Sequence, residues 1–151
     1  MGIPPSERDL HHEKESVAKP RVLVAEDDAA VALTFEKLFK EEATAEIVSS
    51  GEEAIERLTT EGYIPYDLLI IDYGLSGKST GFDVAQEFKQ HSPTTYVLLL
   101  TGNRDIVRSH TTQQLAEIGI RKVIEKPFSV MDIFDLLETI SSEKQLRETS
   151  A

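Results

Sequence analysis

The chain has no cysteine and no tryptophan among its 151 residues. Without thiols it forms neither disulfides nor thiolate metal sites, and it suits a reducing compartment. It is also short of positive charge. Lys and Arg number 16 against 27 Asp and Glu, giving a formal net charge of −11 and a pI near 4.8. A surface this acidic repels a phosphate backbone, so no direct nucleic-acid partner is expected; proteins and cations are the better candidates. No apolar run approaches the roughly 20 residues of a membrane span, and no charged-then-apolar leader opens the chain. A cytoplasmic protein without membrane insertion is expected. Hydrophobic residues make up 40% of the chain, enough for one ordinary core. The length suits one domain with short tails.

Residues 1–20 hold Pro4, Pro5 and Pro20 without periodicity and read as a flexible arm. His11 and His12 lie within it. Adjacent residues point apart in a helix or strand, which disfavours a shared metal. The domain is expected over 21–141, followed by a polar tail at 142–151 that frays. Val22-Leu23-Val24-Ala25, Ala45–Ser49, Leu68-Leu69-Ile70-Ile71, Tyr96–Leu100 and the stretch centred on Val123-Ile124 read as five strands. Between them, apolar residues recur at helical spacing, as at Val31, Phe35, Leu38 and Phe39. Ser50 with Glu53 has the form of a capping box, and Ser129 with Asp132 opens the last helix. Asn103–Glu117 is polar and weakly patterned, and is assigned to one helix. Phe35, Phe39, Phe88 and Phe134 are assigned to the core. Strands without internal alternation are covered on both faces, which argues for a parallel α/β sheet.

The polar residues at the strand ends are the informative ones. The first strand ends in Glu26-Asp27-Asp28, the third in Asp72, the fourth in Thr101 and the fifth in Lys126. In an open parallel sheet these ends share one edge, where ligands bind. Carboxylates gathered from neighbouring strands need a cation. Oxygen ligands without Cys or His favour Mg²⁺ or a similar hard ion. A carboxylate beside such an ion can attack phosphorus and form an acyl phosphate. The phosphoryl oxygens then need a cation, a lysine and a hydroxyl, for which Lys126 and Thr101 are the candidates.

The segments VLVAEDD, LLIIDYGLSG, LLLTGN and IEKPF together resemble the receiver domains of two-component response regulators. The resemblance covers about Arg21 to Ile140. It implies a flavodoxin-like doubly wound (βα)5 fold with strand order 2-1-3-4-5. It implies that Asp72 accepts a phosphoryl group from a histidine kinase or a histidine phosphotransfer protein. Asp27 would bind Mg²⁺ directly, Glu26 through a water, Asp72 as both ligand and nucleophile, and Gly74 through its backbone carbonyl. Asp28 is the weakest member of the acidic set. Lys126 would pair with the phosphoryl group, Thr101 would hydrogen-bond it, and the bond before Pro127 is often cis in this family. A downstream protein target is implied, and pairing into a homodimer through the face after the fourth strand is a common arrangement.

Some positions depart from the family pattern. Ser76 stands where many receivers have Pro, and the 72–81 loop looks one residue longer. Val123 stands where an aromatic residue often reports phosphorylation, so that coupling is altered or absent. Gly102 follows Thr101, and the positions that tune phosphoryl lifetime are Gly74 and Asn103. A pseudo-receiver, binding partners without phosphorylation, is the principal rival. An aspartyl phosphatase needs a second Asp at position 74, which is Gly. A flavodoxin is disfavoured by the acidic loop after the first strand. With little chain after Ile140, output is expected through protein contact, or the chain is a piece of a longer regulator.

Overall fold

A computed structural model describes residues 18–75 and 77–150. Most of the expected arm, with His11 and His12, and also Ser76 lie outside the described residues. The elements run β1 (Arg21–Ala25), α1 (Ala29–Phe39), β2 (Thr44–Val48), α2 (Gly51–Leu58), β3 (Leu68–Asp72), α3 (Gly81–His91), β4 (Tyr96–Thr101), α4 (Arg104–Ser109), α5 (Thr112–Ile118), β5 (Lys122–Glu125) and α6 (Val130–Ser150).

All strand pairs are parallel, in the order β2-β1-β3-β4-β5. The parallel sheet is what the apolar strands led one to expect, and its doubly wound order is the one the resemblance to receiver domains implied. Side chains alternate across a strand, so an unbroken apolar run feeds two layers at once. Val22, Val24, Leu68, Ile70, Leu98 and Leu100 face α1 and α6, where Phe35, Phe39, Ile133, Leu137 and Ile140 meet them. Leu23, Ala25, Leu69, Ile71, Val97 and Leu99 face the other way, against Ala54, Val84, Ala85 and Phe88. Phe35, Phe39 and Phe88 are fully buried. Phe134 is only half-buried, against the expectation, because its position on α6 lies beside the stripe that meets the sheet.

The stretch after β4 differs from the single helix expected. It is two helices, broken at His110 and Thr111. Thr111 Oγ1 accepts from Gln114 N at 3.0 Å, and Gln114 Oε1 accepts from Thr111 N at 2.8 Å. That reciprocal cap starts a new helix where the polar sequence looked continuous. The pair at Ser50 is half a box. Ser50 Oγ accepts from Glu53 N at 3.1 Å, but Glu53 reaches one residue further back, to Ser49 N and Oγ. At the start of α6, Ser129 Oγ accepts from Met131 N at 3.2 Å.

The polar segment from Ser142 continues α6 rather than fraying. Lys144 Nζ bonds Asp67 Oδ2 at 2.9 Å, and Arg147 approaches the same carboxylate at 3.8 Å. Asp67 sits just before β3 and also accepts from Arg21 N at 2.8 Å. One acidic residue thus ties the end of α6 to the edge of the sheet opposite the acidic strand ends. No helix among the described residues is long and apolar enough to cross a membrane.

Candidate functional site

Glu26, Asp72 and Thr101 are buried polar residues, and each stands at or just past the C-terminal end of a strand. Ser92 and Thr95, also buried, lie elsewhere and satisfy one another in a chain that runs from Tyr63 to the Tyr66 carbonyl. The strand-end set is different, because it gathers charge. β1 and β3 are neighbours, with Ala25 paired to Ile71. Residues one step beyond this pair therefore meet. One carboxylate oxygen each from Glu26, Asp27 and Asp72 lies within 4.8 Å of the others.

Lys126 supplies the opposing charge. Its Nζ is 2.9 Å from Asp72 Oδ1 and 3.9 Å from Glu26 Oε2. The lysine is placed by β5, whose Glu125 pairs with Thr101, and by Lys126 N donating to the Thr101 carbonyl at 2.8 Å. The Lys126-Pro127 bond is cis. Asp72 Oδ1 also accepts from Gly74 N at 3.1 Å. Thr101 Oγ1 accepts from Asn103 N at 3.0 Å, and Asn103 in turn caps α4 through Asp105 N. Thr101 is therefore not the helix cap, and its hydroxyl hydrogen has no role in that turn.

Glu26 is the most buried of the three acids. Its Oε1 accepts from Asp28 N at 3.0 Å, but its Oε2 is buried without a hydrogen-bond partner. Burial pushes its carboxyl up from 4.5 to about 7. The Asp28 N–H opposes that rise, the Asp72 carboxylate adds to it, and Lys126 opposes it. Three carboxyl groups against one ammonium leave the cluster with an excess of acid among the described residues. An oxygen-only donor set with an orphaned buried oxygen fits a hard divalent cation.

Asp28 stands apart from this cluster. Its Oδ1 caps α1, accepting from Ala30 N at 2.8 Å and Val31 N at 3.2 Å. Val123 is half-buried against the α3–α5 side of the sheet. Aromatic contact beside the site instead runs Tyr73–Phe82–His110, each pair edge-on at 5.3 Å. One residue near the site had no signal in the sequence. Glu52, in the first turn of α2, accepts from Lys78 N at 2.6 Å and from Ser79 N at 2.8 Å through one oxygen. It holds the loop that follows Asp72.

The family model of the response regulator receiver domain matches residues 22–138. The chain belongs to that family: it is a receiver domain of the two-component response-regulator type, a class of signalling switch. It is 32% identical over 136 residues to the transcriptional regulatory protein PdtaR of Mycobacterium tuberculosis. That match takes in 87% of this chain and 60% of the relative, so the chain spans less than two thirds of the relative's length. Among solved structures, the CheY-like receiver domain protein of Methanospirillum hungatei JF-1 superposes with a TM-score of 0.72 at 18% identity, over 86% of this chain and 99% of that one. The receiver domain of the sensor histidine kinase PA1611 of Pseudomonas aeruginosa PAO1, solved with magnesium in its active-site cleft, gives 0.67 at 17% identity, over 83% of this chain and 99% of that one. At these identities the structures establish the shared fold.

Proposed function

We propose that this receiver accepts a phosphoryl group on Asp72 from the phosphohistidine of a sensor kinase or phosphotransfer protein, and that the modification switches its contacts with a downstream protein in the cytoplasm. The observation that supports this best is the cluster itself. Asp72 stands between two further carboxylates and Lys126, and a buried Glu26 oxygen has no hydrogen-bond partner among the described residues. Asp27 and Asp72 would hold Mg²⁺ directly with the Gly74 carbonyl, and Glu26 would hold it through water. The ion, when bound, supplies positive charge that shields the incoming phosphoryl oxygens from the acids.

The remaining roles fall to this chain's own atoms. An Asp72 carboxylate oxygen forms the new P–O bond as the P–N bond to the donor histidine breaks, and the imidazole nitrogen recovers its electron pair. Lys126 Nζ, already at Asp72, is within reach of a phosphoryl oxygen there. Thr101 would donate its hydroxyl hydrogen to another. Formation of these bonds shifts the population toward a conformer in which Thr101 and Lys126 turn to the phosphoryl group.

Acetyl phosphate with and without Mg²⁺, read by intact mass, tests the proposal. One added phosphoryl group that needs Mg²⁺ and is lost in Asp72→Asn supports it. An unlabelled protein beside a receiver that labels under the same conditions leaves the phosphorylation-independent binding module as the reading.

A further inference from the structure

The loop after Asp72 carries Gly74, and its course decides where the Gly74 carbonyl sits. At its start the loop is pinned by Tyr73 N to the Leu100 carbonyl at 2.8 Å and by Gly74 N to Asp72 Oδ1 at 3.1 Å. At its end Thr80 caps α3 in a reciprocal box with Asp83. In between, Glu52 reaches across from α2. Its Oε1 takes the N–H groups of both Lys78 and Ser79 at 2.6 and 2.8 Å. Gly77 beside them has φ +103, and a Cβ there would lie 2.7 Å from Glu52 Oε2. The carboxylate therefore packs directly against the loop backbone. Gly51 closes the same contact from the helix side, since a Cβ on it would meet the Ser79 carbonyl at 2.9 Å. The Glu52 carboxyl is held below its ordinary range by its own backbone N–H, then by those of Ser79 and Lys78.

We infer that Glu52 is a positioning residue for the metal and phosphoryl site: by holding Lys78 and Ser79 it sets the path of the loop and so the placement of the Gly74 carbonyl. The inference rests on the function proposed above. Glu52 touches neither the cation nor the phosphoryl group. It acts through the loop, as a partner outside the ligand set orients a ligand inside it. A competing account makes Glu52 an acid that favours the α2 N-terminus by its charge alone.

Three variants separate these accounts, each read by Mg²⁺ titration calorimetry and by the rate of acetyl phosphate labelling. Thermal unfolding of the same samples reports whether the fold survives. Glu52→Ala is expected to weaken Mg²⁺ binding and slow labelling by about 10-fold, the usual scale for losing an outer-shell partner. Glu52→Gln keeps an oxygen for both N–H groups and loses the charge, so it is expected to stay within about 2-fold of wild type. Gly77→Ala keeps the Glu52 side chain but crowds its carboxylate and strains the loop at φ +103, and is expected to follow Glu52→Ala. Glu53→Ala, one residue along and bonded to Ser49, is the unaffected control. If wild type binds and labels while Glu52→Ala does so equally well, this inference falls and the proposed function stands. A Glu52→Gln defect as large as that of Glu52→Ala overturns it in favour of charge. A wild type that neither binds Mg²⁺ nor labels removes the proposed function, and this inference with it.

Discussion

Among the described residues Lys126 is the cation set against three acids, and its removal shows what the cluster costs without it. Lys126→Met leaves the buried Asp72 and Glu26 facing one another without the ammonium between them. The metal-free protein is expected to lose about 1–3 kcal/mol, the cost of stripping a buried charged acceptor of its partner. Urea unfolding in EDTA measures it, and an unchanged midpoint would show that water already fills the site. Glu26 makes a second prediction at this scale. Its folded-state carboxyl is raised from 4.5 to about 7. A raised acid contributes its full stability below the unfolded value and loses it as pH climbs through the folded one. The metal-free protein should therefore lose stability between about pH 4.5 and 7 relative to Glu26→Gln, which stays neutral throughout. Thermal unfolding of both proteins across that range reads the difference. A parallel pair of curves refutes the burial argument.

At the scale of the element, the break between α4 and α5 matters most. It lies beside the groove lined by Val107, His110, Leu115 and Val123. The break depends on one reciprocal cap, so Thr111→Ala is expected to cost about 1 kcal/mol and to speed amide exchange in 112–118. Exchange confined to the wild-type rate would mean that packing alone starts α5. The sequence reading ran one helix across Asn103–Glu117, because a polar stretch with weak periodicity gave no sign of the Thr111–Gln114 cap that breaks it. The continuation of α6 was not legible. Its last turns are polar, and what holds Lys144 is Asp67, 77 residues earlier.

For the whole molecule, the site and the core are mechanically continuous. Phe35 stacks on Phe39 at 5.9 Å and on Phe128 at 5.3 Å. Phe128 follows Lys126 by two residues, so the α1–α6 layer supports the turn that aims the lysine. Phe35→Ala is expected to destabilise the fold by about 3–5 kcal/mol. It should also weaken Asp72 labelling at temperatures where the protein remains folded. Circular dichroism with intact mass separates the two effects. Loss of stability with normal labelling would show that the turn keeps its shape without the ring behind it.

The sequence by itself determined the sheet and the edge at which chemistry gathers. Five apolar runs without alternation require two covered faces. In a parallel sheet every strand then ends on the same side, so Glu26, Asp27, Asp72, Thr101 and Lys126 share one edge, and the order implied by the resemblance sets their strands side by side. Tertiary structure alone decided how those residues divide the work. It turned Asp28 away to cap α1, buried Glu26 until its carboxyl rose, and brought Glu52 to the loop after Asp72 across 26 residues. No periodicity encodes such meetings. They depend on how far separate elements approach one another, and that distance is set by the packed core.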